Sequence, residues 1–509
     1  MTTFQKIKKF FPENKGRWIK YTLTSLPVIF SALIFALNNF VDNFMAINIS
    51  GGNQALAYAN TWTTIVTGIV AATTIIGSSL YGQYFGINDV KKIREVIRGR
   101  MAIALSITII FVIPSLVAPE SLVRLASGND NNVSQSIIDS GSKYLRLISI
   151  SWLLSTWGYT MAMILRESGY GNITVLSSCV CLGLNIALNS IFISIAKDLE
   201  LLAYSTIISL FVGSIILFLI FVILKDKRLI LNPLKLFAVP VDIWTQFWKR
   251  TPSFLLFCIG SITVSIRYIF WNIGYPTSSI GTSPDYRISA ANILGISGMF
   301  FSIFWNTFES INANVTIFVG RELGDNNYLQ AKKNAKELQG FHFCVSLIMS
   351  LLLLGLSFLI VKMNFLADGY AMALEETLKS ENIDALKIQE IVEKGRVELL
   401  NNIKETIWPL AWNIPFWVWY ITKNRIISSG GKTNLTSLVE AGVGLLSTGW
   451  ISLINFSSIH SVIAFPWAYA LFFVLDVVVK TPIYEFIYYK VEWAKNITNE
   501  FAQPENLDK

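Results

Sequence analysis

The stretch SLPVIFSALIFALNNFVDNFMAINISGG, residues 25–52, governs how the rest of the chain is read. It is apolar over the length of a membrane-crossing helix, carries Pro27 near its start, and places Asn38, Asn39, Asp42 and Asn43 in its second half. No Lys or Arg stands near Asp42 in this run. A carboxylate in hydrocarbon is costly, so an acid kept there is expected to face a bundle interior or a water-filled cavity and to mark a functional site. Asn38 and Asp42 are four apart and share a helix face, with Asn39 beside them. That face reads as a cation or proton site.

The whole chain has the same character. Of its 509 residues 53% are hydrophobic and only 15% charged, and the mean hydropathy is +0.52. A soluble domain of this size has too little interior to hide that much apolar surface, so the chain is a polytopic membrane protein. The net charge of +8 lies in short segments between apolar runs, where it would meet anionic lipid headgroups; nucleic acid is not an expected partner. Cys179, Cys181, Cys258 and Cys344 all fall inside apolar runs and read as small buried hydrophobes rather than disulfides or metal ligands. The two histidines, His342 and His460, stand alone, and no phosphate-binding loop, nucleophile elbow or metal-ligand cluster is present. Neither an enzyme nor an ATP-driven pump is indicated, and no cofactor; energy must come from an ion gradient or a partner. Residues 1–20 read as a basic cytoplasmic arm without a cleavable leader.

Runs long enough to cross about 30 Å of hydrocarbon occur near 21–47, 56–81, 101–119, 144–165, 173–196, 201–224, 252–275, 288–318, 341–361, 406–427, 434–456 and 462–489. Twelve spans are expected. Basic residues collect in the arm and in alternate loops, as in Lys91, Lys92, Arg94, Arg98 and Arg100, which puts both termini in the cytoplasm of a multi-pass plasma-membrane protein. Residues 225–250 form a basic connector between an N-lobe (21–224) and a C-lobe (251–490), with a tail at 491–509. Each half repeats a signature. GSSLYGQYFGINDVKKIREVIRGR (77–100) aligns with NVTIFVGRELGDNNYLQAKKNAKELQG (314–340), setting Gly82 and Gly86 opposite Gly320 and Gly324; RESGYGNIT (166–174) aligns with ISSGGKTNLT (427–436). Such repeats imply an all-α fold of two pseudo-symmetric six-helix lobes with a transport path between them. The glycine pairs themselves read as sites of close helix approach.

The Pro27-to-Asp42 spacing, SLYGQYFG (79–86), LRESG (165–169), LNIALNSIFI (184–193), YSTIIS (204–209) and VGRELGDNN (319–327) together resemble the multidrug and toxic compound extrusion (MATE) family, within the larger superfamily of drug, oligosaccharidyl-lipid and polysaccharide exporters. The resemblance implies a monomeric, alternating-access exporter that exchanges H⁺ or Na⁺ for amphipathic, often cationic compounds. It implies an N-lobe cation site of Asp42, Asn185, Asn189 and Thr206, supported by Asn38, Asn39 and Pro27, with Na⁺ held at Asp42, Asn185 and Asn189. The family often has an aspartate where Asn189 stands, and usually an asparagine at the position of Tyr159.

The C-lobe departs from the Na⁺-coupled branch, whose seventh and tenth spans carry acids; here 252–275 and 406–427 have none. Aligning Pro252 with Pro27 puts Arg267 at the pseudo-equivalent of Asp42, and Glu309 at a depth that can meet it, so an Arg267–Glu309 pair is expected. Tyr159, Trp305, Trp412 and Trp417 are candidates for lining the cavity, and 365–405, long for the family, reads as one or two amphipathic outer helices. The competing readings are a lipid or lipid-linked precursor flippase of the same superfamily, a membrane scaffold or receptor, and a membrane-embedded enzyme.

Overall fold

The computed structural model describes residues 10–229, 235, 237–456 and 463–498, without the side chains of Asn39, Val264, Trp305, Asn306, Thr307 and Phe456. The first lobe holds α1 (Lys15–Ala46), α2 (Gly52–Gly86), α3 (Val90–Val117), α4 (Gln135–Ser168), α5 (Gly171–Ile195) and α6 (Leu199–Ile223). The second holds α7 (Thr251–Gly274), α8 (Ala290–Thr307), α9 (Tyr328–Ile360), α10 (Ala385–Ser429), α11 (Thr433–Phe456) and α12 (Phe465–Lys490). Nine helices among the described residues are long and apolar enough to cross a membrane: α1–α7, α9 and α11. With α8, α10 and α12 packed among them, twelve spans are consistent with the fold. α8 is continued by Ser310–Val315, a π turn at Thr316–Gly320 and Arg321–Gly324.

Lipid as solvent inverts the usual pattern of burial. Ile110, Ile113 and Val117 on α3 and Leu351 and Leu352 on α9 point outward, while Ser205, Asn185, Asn189, Ser346 and Thr406 are buried. Every backbone polar group in a span must be satisfied within its helix, and small hydroxyl and amide side chains then join neighbouring helices.

Adding six to each helix number reproduces the packing. α1 lies on α5 as α7 lies on α11; α3 on α4 as α9 on α10; α4 on α6 as α10 on α12; α5 on α6 as α11 on α12. Between lobes α2 meets α7 and α8 meets α1. The repeated motifs explain this locally. Gly169 (φ 97°) and Gly431 (φ 85°) end α4 and α10 in the left-handed conformation, and the following residues close matching turns, Tyr170 N to Leu165 O at 2.9 Å and Lys432 N to Ile427 O at 3.3 Å. The other pair of motifs meets face to face. A methyl group at Gly86 would strike the Arg321 backbone and one at Gly324 the Gln83 backbone, so only glycine allows α2 and the end of α8 to touch.

That glycine contact lies at the end of the bundle where both described terminal segments pack. Phe10 O accepts from Gly340 N at 3.0 Å. Asn496 donates to Gly324 O at 2.8 Å, and Ile497 N to Gln83 Oε1 at 2.6 Å. At the opposite end, 365–405 forms a helical hairpin of Asp368–Ser380 and an extension of α10, which begins at Ala385 rather than near 406. Leu374 and Leu378 join Ile388, Ile391 and Leu399 in its seam. The hairpin bridges both lobes: Gly369 O accepts from Gly51 N at 3.2 Å, Ser50 donates to Glu376 at 2.7 Å, and Tyr370 donates to Tyr286 O.

Candidate functional site

Asp42 sits on the inward face of α1, 3% exposed, against α5 and α6. The i,i+4 spacing of Asn185 and Asn189 sends both amides to one carboxylate oxygen. Asn185 Nδ2 donates to Oδ1 at 3.2 Å and Asn189 Nδ2 at 2.9 Å, while Thr206 Oγ1 donates to Oδ2 at 2.6 Å. Asn189 also donates to Asn185 Oδ1 at 3.1 Å. One residue that the sequence did not single out completes the group: the Ser205 hydroxyl donates to Asn189 Oδ1. Ser205 was visible only as the neighbour of Thr206.

The arrangement is a lone carboxylate held by three donors from two other helices. Turned over, the two amides present oxygens, and with Asp42 and the Thr206 hydroxyl they form a set of hard oxygen donors that fits Na⁺. A proton on Asp42 would serve equally, converting one acceptor into a donor. Of the supporting residues, Asn38 is turned away from Asp42, donating to Phe35 O at 3.3 Å with its Oδ1 near Cys181 Sγ. Pro27 packs beside Gly171, where α5 begins. The Asn39 side chain lies outside the described residues.

The interface between lobes carries a second polar region. Arg100 and Glu167 form a buried ion pair at 2.6 Å. Across the interface, Asn312 donates to Ser78 Oγ at 2.9 Å and to Glu167 Oε1 at 3.2 Å. One turn further along α8, Glu309 faces Tyr159 and Arg166 of α4 and Arg425 of α10. The expected Arg267–Glu309 pair is therefore not formed. Arg267 lies over Phe472 and Phe473 of α12, at 5.0 and 5.1 Å from their ring centroids. Counting residues from the ends fixes the height of a side chain but not the direction in which its helix turns it.

The C-lobe interior holds a network that the sequence did not assemble. Lys480 of α12 lies 2.9 Å from Glu440 of α11 and 3.0 Å from Asp476 one turn away. Tyr484 donates to Glu440 at 2.7 Å and Tyr420 to Asp476 at 2.9 Å. The available signal was the Asp476–Lys480 spacing of four within an apolar span. Of the cavity candidates, Tyr159 lines a partly open space of about 30 Å³ between α1, α4, α5 and α6. Trp417 is instead packed, 3% exposed, between Phe301 and Phe473. Trp412 is 60% exposed in an outward stripe with Trp408 and Phe416; α10 buries its opposite face, including Asn413 and Trp417. Trp305's side chain lies outside the described residues.

The MatE family model matches residues 27–191, the stretch that carries Asp42, Asn185 and Asn189. Over nearly the whole chain the fold is that of solved MATE structures. The eukaryotic MATE transporter AtDTX14 superposes with a TM-score of 0.72 at 12% identity, covering 95% of this chain and 98% of that one. In its first third by the family model, and over nearly its whole length by fold, the chain is similar to MATE transporters. A MOP superfamily transporter from Pyrococcus furiosus gives 0.68 at 13% identity, covering 96% and 99%. An outward-facing multidrug resistance MATE transporter gives 0.67 at 14%, again covering 96% and 99%. No curated protein sequence matches the chain. At these identities the likeness to MATE structures is one of fold, and the site has to be read from this chain's own residues.

Proposed function

We propose that this chain is a MATE-type secondary exporter that exchanges H⁺ or Na⁺, taken up at Asp42, for an amphipathic organic compound carrying a cationic group. The observation that supports it most directly is the carboxylate of Asp42, buried in the lipid-embedded bundle with three hydrogen-bond donors and no basic side chain within ion-pairing distance among the described residues. Such a group is poised for a cation. Protonation or Na⁺ binding competes with the donors of α5 and α6 for the carboxylate oxygens, and so changes how α1 is held. Because α1 also packs on α8 of the other lobe, with Phe40 edge-on to Phe300 at 5.5 Å, loosening it biases the lobe arrangement. Pro27, which interrupts the helix hydrogen bonding, gives α1 a place to bend. A cationic substrate attracted by the ionised carboxylate is released when the coupling ion takes its place, and competition of this kind is the simplest linkage.

The protein acts as a monomer in the plasma membrane with both termini in the cytoplasm, and engages lipids but no nucleic acid. Export of rhodamine 6G from proteoliposomes, driven in turn by imposed Na⁺ and pH gradients, tests the reading. Asp42→Asn should abolish gradient-driven flux with either ion; flux that persists unchanged in that variant sinks it. A second reading, flipping of a lipid or lipid-linked precursor, draws on Arg267, a guanidinium between aromatic rings with no carboxylate within 4.0 Å among the described residues. Dithionite quenching of a fluorescent phospholipid in the same vesicles separates the two.

A further inference from the structure

α12 ends at Lys490, and residues 491–498, which follow it, have no regular secondary structure. Trp493, Asn496, Ile497 and Thr498 are nevertheless buried. Backbone outside a helix or sheet needs other partners wherever it is buried, and here they come from both lobes. On the C-lobe side the Trp493 ring stacks on Tyr488 at 5.8 Å. The Trp493 carbonyl fills the space that any side chain at Gly430 would occupy, and Ile497 does the same at Gly431. Asn496 Nδ2 donates to Gly324 O at 2.8 Å and to Asn326 Oδ1 at 2.9 Å, and its own Oδ1 accepts from Thr498 N at 2.9 Å. On the N-lobe side Ile497 joins the apolar cluster of Leu80, Tyr84, Val96 and Ile97.

Gln83 of α2 holds this segment. Its side chain is fully buried and both ends of the amide are used: Nε2 donates to Ser429 O at 2.8 Å and to Lys495 O at 3.0 Å, and Oε1 accepts from Ile497 N at 2.6 Å. The bond to Ser429 has a twin. In the repeated motifs Gln83 stands opposite Arg321, and Ser429, just ahead of the left-handed Gly431, stands opposite Glu167, just ahead of the left-handed Gly169. Arg321 Nη2 donates to Glu167 O at 2.6 Å. Each lobe thus reaches across to a carbonyl in the last turn of α4 or α10 of the other, and the two clasps are related by the pseudo-twofold symmetry of the fold. The segment after α12 breaks that symmetry. Its counterpart after α6 lies on its own lobe, with Tyr170 donating to Asp226 at 3.0 Å and Leu229 buried among N-lobe residues. Residues 491–498 instead cross from the C-lobe to the N-lobe and add two bonds to the Gln83 clasp.

We propose that residues 493–498 are an autoinhibitory latch, which grips Gln83 and holds the lobes shut at the end of the bundle where the glycine motifs meet. The lobes cannot part there while the segment keeps its contacts with both. Parting them takes three hydrogen bonds from one buried amide and draws Ile497 out of the N-lobe cluster. A buried polar group left without a partner costs more than the bond itself is worth in water, so these contacts break together or not at all. The latch therefore slows opening at this end relative to a chain in which the segment is free. It rests on the reading of the two lobes as moving parts, and not on which ion or cargo they exchange.

The test measures opening in the full-length protein in nanodiscs, with no ion gradient and no cargo. In a background whose native cysteines are replaced by alanine, Ser429→Cys puts a buried thiol beside Gln83, and its rate of reaction with a soluble maleimide reports the parting of the lobes. Ser346→Cys, buried inside the C-lobe, reports unfolding instead. Asn496→Ala/Ile497→Ser should speed labelling at 429 about tenfold, the scale of one buried hydrogen-bonding group left unpaired, and leave labelling at 346 within about twofold. Gln83→Met, which keeps the side-chain length but removes the amide, should also speed labelling at 429. Because both changes act through one contact, their combination should fall well short of the product of the separate gains. An unchanged rate at 429 in the tail variant, gains that multiply in full, or an equal acceleration at 346 overturns the proposal. Gradient-driven flux of rhodamine 6G that fails while this labelling pattern holds would count against the exporter reading and leave the latch standing.

Discussion

Removing the Lys480 ammonium tests whether the C-lobe carries its own built-in cation. Lys480 is 6% exposed and lies 2.9 Å from Glu440 and 3.0 Å from Asp476, so the three groups together carry one net negative charge. Lys480→Met keeps most of the side-chain volume but leaves two carboxylates facing an empty position. Breaking a buried ion pair from one side costs about 3–5 kcal/mol, because the remaining charge stays buried without a partner. For a lobe of this size that corresponds to a fall of roughly 10 °C in melting temperature. Tyr484 and Tyr420 still donate to the carboxylates, which places the loss toward the lower end of the range. The double variant Lys480→Met/Glu440→Gln removes one of the stranded charges and should recover at least half of the fall. Thermal unfolding of the detergent-solubilised protein, followed by tryptophan fluorescence, measures both. In Lys480→Ala the space left between two carboxylates and two hydroxyls suits Na⁺, so 150 mM NaCl, compared with choline chloride, should raise the melting point of this variant by several degrees more than that of wild type. A fall of less than about 2 °C in Lys480→Met, or a double variant no more stable than the single one, would refute the argument.

Gly324→Val should prevent α2 from closing on the end of α8, because the added side chain meets the Gln83 backbone rather than a movable side chain; cysteines on the two lobes at that end should then react faster with a soluble maleimide, and unchanged labelling would show that the glycines do not form the seal. Asn189→Asp places a second carboxylate beside Asp42, where the amide now donates at 2.9 Å. Two adjacent carboxylates repel unless a cation lies between them, so this variant should require Na⁺ for stability, with a melting point that rises on adding NaCl but not choline chloride.

Hydropathy alone marks the helices, because a span must be apolar over a fixed length whatever its neighbours are. The Asn185–Asn189 spacing is legible for the same reason: two amides four apart share a face of any helix, and here they converge on Asp42. Partnership between helices is not legible in this way. Arg267 and Glu309 stand at compatible depths, but α7 turns Arg267 toward Phe472 and Phe473 while α8 turns Glu309 toward α4 and α10. The residues 365–405 were readable as amphipathic helix, yet the fusion of their second half with α10 depends on an unbroken helical register from Ala385 to Ser429, which composition does not reveal. The outward position of Trp412 likewise depends on which face of α10 the lobe core takes up.

The two lobes repeat one packing plan but differ in charge. In the N-lobe the buried acid, Asp42, accepts only from neutral donors among the described residues, and a cation taken up there would have to come from solution. In the C-lobe, Lys480 already stands between Glu440 and Asp476 as a covalently attached cation. A tethered ammonium offsets one of its two carboxylates and cannot be exchanged between the two sides of a membrane. If both lobes carried mobile ions, two sites would have to load and empty in step during each cycle. On the proposed exporter reading, Asp42 is then the site whose occupancy reports the ion gradient. On that reading the expectation is a cycle coupled to a single cation, in which α1 moves relative to α5 and α6 while the charged interior of α10, α11 and α12 moves as a unit.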